Sequence, residues 1–296
     1  MKIIMHPDKI KQLERTRKIA SMNQDEAGLN VAMPVSENML KKARKSQEDK
    51  ERPWDIEETR QLLKVQTEKL QGQTLFAESG REVFKLGVES TNKRVIIGYR
   101  LLDLLFEPYL TFYQGNGEVG FAGDVPGEIA VLELEPNETI YAQRPSFIAG
   151  IGDIDLSIYT HKLGGLFTFA IGGGSVLLDK LTNKSSQEGL VFLHACGGYD
   201  VIDLKENQTI TVDIGSVVAW SESVKYKVKK LSFKTGITGE GMFINELTGP
   251  GVVMIQTTTL TKLQEKIGET ICLGPPPVIV WQLLQKEAKR LFYRIF

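Results

Sequence analysis

The chain has 296 residues, of which 42% are hydrophobic and 25% charged, and its 36 basic side chains nearly balance 37 acidic ones for a net charge of −1. A chain this long buries roughly 75% of its unfolded surface, so it needs no disulfide or metal staple, and the composition excludes collagenous and wholly disordered classes. Two cysteines, Cys196 and Cys272, are too few for a secreted disulfide framework or a four-cysteine zinc site, so the expected setting is reducing and intracellular. No run of about 18 to 20 apolar residues offers a transmembrane helix. The opening MKIIMHPDKIKQLERTRKIA is basic but has no apolar centre of a secretory signal, and Asp8 and Glu14 interrupt it.

Glycine marks the divisions along the chain: only Gly28 of 28 glycines precedes residue 72, and none follows Gly274. Residues 1–71 carry a net charge of +3, residues 72–274 of −7 and residues 275–296 of +3. The first region is expected as a charged, helical, partly disordered extension. Pro34, Pro53 and the run KKARKSQEDKER separate two expected helices, one over residues 7–20 and one over residues 54–70. In the second, Asp55 is placed to cap WDIEETRQLLKVQTEKL, and Ile56, Leu62, Leu63, Val65 and Leu70 supply a mixed apolar face.

Residues 72–274 change period. IAVLELEPNETIYA, DIDLSIYT, LVFLHA, YDVIDLKENQTITVD and VKYKVKKLSF alternate apolar with polar residues and are rich in Val, Ile, Thr, Tyr and Phe. They read as half-buried strands, and turns every 8 to 12 residues make this region an all-β core.

The core repeats itself. LELEPNETIYAQRPSFIAGIGDIDLSIY, from Leu132, aligns without a gap on IDLKENQTITVDIGSVVAWSESVKYKVK, from Ile202, with Asn137 on Asn207 and Thr139 on Thr209. GGGSVLLDKLTN, from Gly172, aligns on TGEGMFINELTG, from Thr238. A fainter third copy ends in GNGEVGFAGDVPGEIAVLEL and contains the longer apolar run RLLDLLFEPYLTFYQ. A unit of this kind cannot hide its apolar face alone, so copies are expected to pack on one another.

GEGMFINELTGPGVVMIQT, preceded by LKENQTITVDIGSVVAWSESVKYKV, resembles the family founded on the mitochondrial-biogenesis protein called altered inheritance of mitochondria, found also in bacteria and archaea. The matching stretch runs from Glu128 to Thr259, with a weaker extension back to Gln73. The resemblance implies a fold similar to the tryptophan RNA-binding attenuator protein, with three antiparallel β-units in a pseudo-threefold arrangement. It also implies a link to mitochondrial inner-membrane organisation in eukaryotic members. The sequence departs from the pattern in its first unit, in its extensions, and at Asn183, where Gly249 stands in the other copy.

The residues that offer chemistry have plainer readings. Gly172, Gly173, Gly174 and Ser175 open an apolar strand and not a helix, and their counterpart TGEG has no following lysine, so they are expected as a turn and not as a phosphate loop. His194 and Cys196, two apart on a strand, face one side, but His6, His161 and Cys272 offer no second pair. A packed histidine is expected, with no metal, cofactor or Cys-His nucleophile. Asp153, Asp155, Asp200, Asp203, Asp213 and Glu240 suit turns and solvated strand faces, no acid/base pair stands out, and the chain is expected not to be an enzyme. RNA recognition needs a basic track, and the core is acidic apart from the lysine edge of Lys225, Lys227, Lys229 and Lys230, so nucleic acid is not an expected partner.

The tail PPPVIVWQLLQKEAKRLFYRIF is expected as a short basic amphipathic helix, with Leu284, Ala288, Leu291 and Ile295 at helical spacing. Trp281 and Phe292 with Lys286, Lys289, Arg290 and Arg294 make it the candidate contact for an anionic membrane or for a protein partner. The reading is therefore a non-enzymatic scaffold or interaction protein, docking on a partner or on its own copies. The alternative is a small-ligand or lipid-binding module with a pocket lined by Trp220, Tyr226 and Phe243.

Overall fold

The computed structural model describes residues 1–5, 7, 9–11, 13–15, 52–94, 109–160, 177–230, 243–259 and 262–263. Two compact units divide the chain, Met1–Thr257 and Thr258–Phe296. In the second, Thr259 takes hydrogen bonds from the amides of Leu263 (3.0 Å, to its carbonyl) and Lys262 (3.1 Å, to its hydroxyl). The expected tail helix lies outside the described residues, as do the Gly172–Ser175 turn and residues 16–51.

The first unit is predominantly β. Its strands are, in chain order, β1 (Lys2–Ile4), β2 (Trp54–Ile56), β3 (Leu62–Gln66), β4 (Leu75–Glu78), β5 (Glu82–Arg94) and β6 (Tyr109–Ala122). Next come β7 (Gly127–Leu134), β8 (Thr139–Gln143), β9 (Phe147–Ile151), β10 (Ile154–Thr160), β11 (Leu177–Asn183) and β12 (Gly189–Cys196). The last six are β13 (Tyr199–Leu204), β14 (Thr209–Asp213), β15 (Val217–Ser221), β16 (Lys225–Lys230), β17 (Phe243–Thr248) and β18 (Gly251–Gln256). Among the described residues they form antiparallel sheets ordered β1-β7-β12-β9-β4-β6-β3-β2, with β5 also on β6, then β10-β11-β8-β15-β18-β13, then β14-β17-β16.

Alternation explains why β7 and β12 sit inside. Leu132 faces Val191 across their ladder and Val131 faces Phe192. Ala130, Leu132, Leu134, Val191 and Leu193 then point into one core with Ile140, Phe147, Val201 and Met254 from the neighbouring elements. The intervening Ile129, Val131 and Phe192 point into a second core with Leu63, Val65, Val119 and Phe121. Covered on both faces, GEIAVLEL and GLVFLHAC have little need of polar residues. A third cluster gathers Leu178, Val217, Trp220, Leu247 and Val253.

The helix expected over residues 54–70 is a correction. The segment forms β2 and β3 and a 3-10 turn at Thr67–Lys69, and β3 pairs with β6 from Leu62 opposite Ala122 to Gln66 opposite Glu118. Leu63 and Val65, two apart, are fully buried, which is a strand period; pairing with β6 overrides the helix propensity of the flanking charged residues. The chain turns between β2 and β3 at Arg60, which has a positive φ of 61°. At the N-terminus, residues 7, 9–11 and 13–15 are helical, and Ile10 and Leu13 enter the first core. Lys9 is buried over the Tyr199 ring, 3.8 Å from Glu128, which also pairs with Arg60 at 3.1 Å.

The aligned stretches share local details. β8, the 3-10 turn Arg144–Ser146 and β9 follow the same order as β14, the turn Ile214–Ser216 and β15. Asn137 and Asn207 both have positive φ, 63° and 60°, a conformation that asparagine tolerates better than most residues. Asn183 donates its backbone N–H to Glu138 (3.0 Å) as Gly249 donates to Gln208 (2.9 Å). The departure at Asn183 has a local cause. Its amide nitrogen donates to the carbonyls of Leu134 (2.9 Å) and Gln187 (2.7 Å), and its oxygen accepts from Ser185 N–H (3.0 Å). A Cβ at Gly249 would instead stand 2.5 Å from the Lys205 carbonyl oxygen.

Candidate functional site

Trp281, Lys286, Lys289, Arg290, Phe292 and Arg294, the residues singled out in the tail, lie outside the described residues. Ionisable side chains do converge elsewhere, at a place the sequence reading passed over. Arg81, in the turn after β4, is 5% exposed. It donates from Nε (2.9 Å) and Nη2 (2.7 Å) to Glu78 Oε2 and from Nη2 to the Pro145 carbonyl (3.0 Å), and its Nη1 pairs with Asp124. Arg144 and Asp179 extend the group. Burial pushes the Asp179 carboxyl up to about 8, with the Arg144 charge pulling against it and Glu78 adding to it. Burial also raises Glu78, opposed by Arg81 and Arg144.

His194 of β12 borders the same cluster. Its ring bonds the backbone of Val125, and burial depresses its pKa. Nε2 meets no partner, and the ring fills space that side chains at Gly123 or Gly127 would occupy. Cys196, two residues on, is buried, and burial pushes its thiol up. Among the described residues no three His, Cys, Asp or Glu side chains are grouped to hold a metal.

Shifted pKa values of this kind occur at active sites and also in structural ion-pair networks. Here the shifted groups face one another. Arg81 pairs with Glu78 and Asp124, and the Arg144 charge acts on Glu78 and Asp179. Asp124 opens to water at 72% side-chain exposure, while Arg81 joins the β4–β5 turn, the β6–β7 link and the turn at Arg144–Ser146. The arrangement ties three connections together.

Of the lining expected for a pocket, the rings of Trp220 and Tyr226 lie against each other. They stack at 4.5 Å between centroids and 12° between planes, and Tyr141 and Tyr159 continue the row at 5.9 and 5.1 Å. The Tyr226 hydroxyl donates to Asn245 Oδ1 at 2.8 Å, and burial pushes it up to about 12. The side chain of Phe243 lies outside the described residues.

A cleft of about 530 Å³ opens elsewhere, between the β5–β6 hairpin and the loop from Thr67 to β4. Phe112 lies against Phe76, which lies against Phe147, each pair stacked at 5.8 Å. The loop is pinned by Gln73 Nε2 on the Glu188 carbonyl (3.3 Å), by Gly152 N–H on the Thr74 carbonyl (2.9 Å) and by Thr67 Oγ1, which donates to the Gly117 carbonyl (3.1 Å) and accepts from its N–H (2.9 Å). Lys93 is the charged residue of the lining, its ammonium 4.5 Å from the Phe112 ring centre.

With this geometry in place, the comparisons decide the kinship: the family model described as mitochondrial biogenesis AIM24 matches residues 55–258. The chain belongs to that family. It is 31% identical over 150 residues to an uncharacterized protein of Streptococcus pyogenes serotype M6, covering 50% of this chain and 56% of that one, so the chain spans little more than half of this curated relative. The crystal structure of a Streptococcus pyogenes protein matches with a TM-score of 0.57 at 21% identity, over 73% of this chain and 97% of that one, a likeness of fold.

Within this family fold, the sequence reading missed Arg81, Asp179, Lys93 and Phe112. A signal for Asp179 was present: VLLDKLTN and MFINELTG align Asp179 with Asn245, a polar residue inside an apolar strand in both copies, and both are buried. No local signal marks Lys93 and Phe112, whose cleft is assembled from separate parts of the chain.

Proposed function

We propose that the chain is a non-enzymatic scaffold of the mitochondrial biogenesis family, made of three related β-units in a pseudo-threefold arrangement and acting through its surface on partners or its own copies. The observation that carries this reading is the Arg81 cluster. Arg81 is engaged by Glu78, Asp124 and the Pro145 carbonyl, which ties three connections together. The matching bonds at Asn183 and Gly249 support related units. The tail supplies the membrane-facing part of the proposal. Trp281 and Phe292 beside Lys286, Lys289, Arg290 and Arg294 suit an anionic surface, where apolar burial and charge add. Co-sedimentation with anionic vesicles tests it. The full chain is expected to pellet with vesicles at low salt and a chain lacking residues 278–296 to stay in solution; equal behaviour of the two overturns the membrane contact.

A further inference from the structure

We infer that the cleft between the β5–β6 hairpin and the Thr67–Thr74 loop is a binding site for a small organic anion, one negative group joined to a flat apolar body. The inference is independent of the tail and of the scaffold reading. Cross-strand register puts Thr91 opposite Phe112 and Lys93 opposite Leu110, so Thr91, Lys93, Phe112 and, by alternation, Gln114 share one face of the hairpin. Leu70 and Gln73 close the other side. Volume and lining suit a small ligand: sites of about 300 to 1,000 Å³ combine an apolar wall with a few polar groups that fix orientation.

Charge decides the ligand class. Lys93 is the charged residue in the lining and has no carboxylate partner among the described residues; its ammonium rests over the Phe112 ring. An aromatic face substitutes weakly for an anion when the cation is exposed, as Lys93 is. Preorganisation favours binding, because the ordering is already done. Phe112 is the outer member of the Phe112, Phe76, Phe147 stack, and the opposite wall is held by the bonds of Gln73, Thr74 and Thr67.

Calorimetric titration of the full chain with 2-naphthoate, 2-naphthalenemethanol and 2-naphthylmethylammonium tests the inference. The carboxylate is expected to bind with Kd below about 1 mM, and its neutral analogue at least about tenfold more weakly, the worth of one charged hydrogen bond. Lys93→Gln should weaken naphthoate by the same factor, and Lys93→Glu should reverse the preference toward the ammonium. Lys180→Gln, which removes the lysine near Tyr141, should leave naphthoate binding unchanged. No binding of naphthoate by about 10 mM, equal affinity for the alcohol, or unchanged affinity in Lys93→Gln overturns the site.

Discussion

Asp179 shows what burial does to one residue. Its carboxyl keeps a proton in the folded chain up to a pH of about 8, whereas an unfolded Asp releases it near 3.9. Below about pH 4 both states are protonated and the group is neutral in its effect. Between about 4 and 8 the unfolded state alone is ionised, so this residue costs stability increasingly as pH rises, and the cost levels off above 8. Asp179→Asn removes the ionisation. Its melting temperature should exceed that of the parent by about 4 °C or more at pH 8 and by less than about 1 °C at pH 3, at roughly 2–4 °C per kcal/mol for a unit of this size. A difference independent of pH contradicts the assignment. His194 gives an opposite slope as pH falls through about 6.5, because its neutral form is held by burial, but this is common to both proteins and cancels in the comparison. Arg81 makes the complementary case. Arg81 is buried and Glu78 half-buried, and removing the guanidinium leaves Glu78 and the Pro145 carbonyl without their donor, so Arg81→Met should cost about 2 kcal/mol in urea unfolding, and Arg81→Met with Glu78→Leu should recover more than half of it. A double variant as unstable as the single one would show that Glu78 is not the stranded group.

At the scale of elements, alternation and internal repetition together betray strands, and this is why strands from β7 to β18 were legible in the sequence. Thr139 to Gln143 and Val217 to Ser221 form strands where the pattern puts them. Residues 54–70 misled because adjacent Leu62 and Leu63, a capping Asp55 and a charged flank imitate a helix; the buried pair Leu63 and Val65 becomes decisive only once β6 is beside it. The cleft was illegible for a related reason. Lys93, Phe112 and Gln73 belong to three segments that only the fold brings together. Turns carry their own requirements. Asn183 is fully buried, and its amide satisfies two carbonyls and one N–H. Asn183→Ala should cost about 2 kcal/mol, the usual penalty for buried polar groups left without partners, and a loss below about 0.5 kcal/mol in urea unfolding would show that the turn does not depend on the side chain.

At the scale of the whole molecule, the net charge of −1 hides a division of labour between an acidic β core and basic ends. Inside, Arg81 ties connections together, and the contacts proposed with other molecules fall elsewhere in the chain: the cleft at Lys93 for a small anion, and residues 278–296 for membranes. If so, altering the interior cluster conservatively leaves the membrane contact untouched, while removing the tail abolishes it. Vesicle co-sedimentation of three proteins, the parent, Asp179→Asn and the chain lacking residues 278–296, measures this directly. The account predicts that the folded Asp179→Asn protein pellets with anionic vesicles as the parent does and that the shortened chain remains in the supernatant. Loss of binding in folded Asp179→Asn, or retention of binding in the shortened chain, would contradict it.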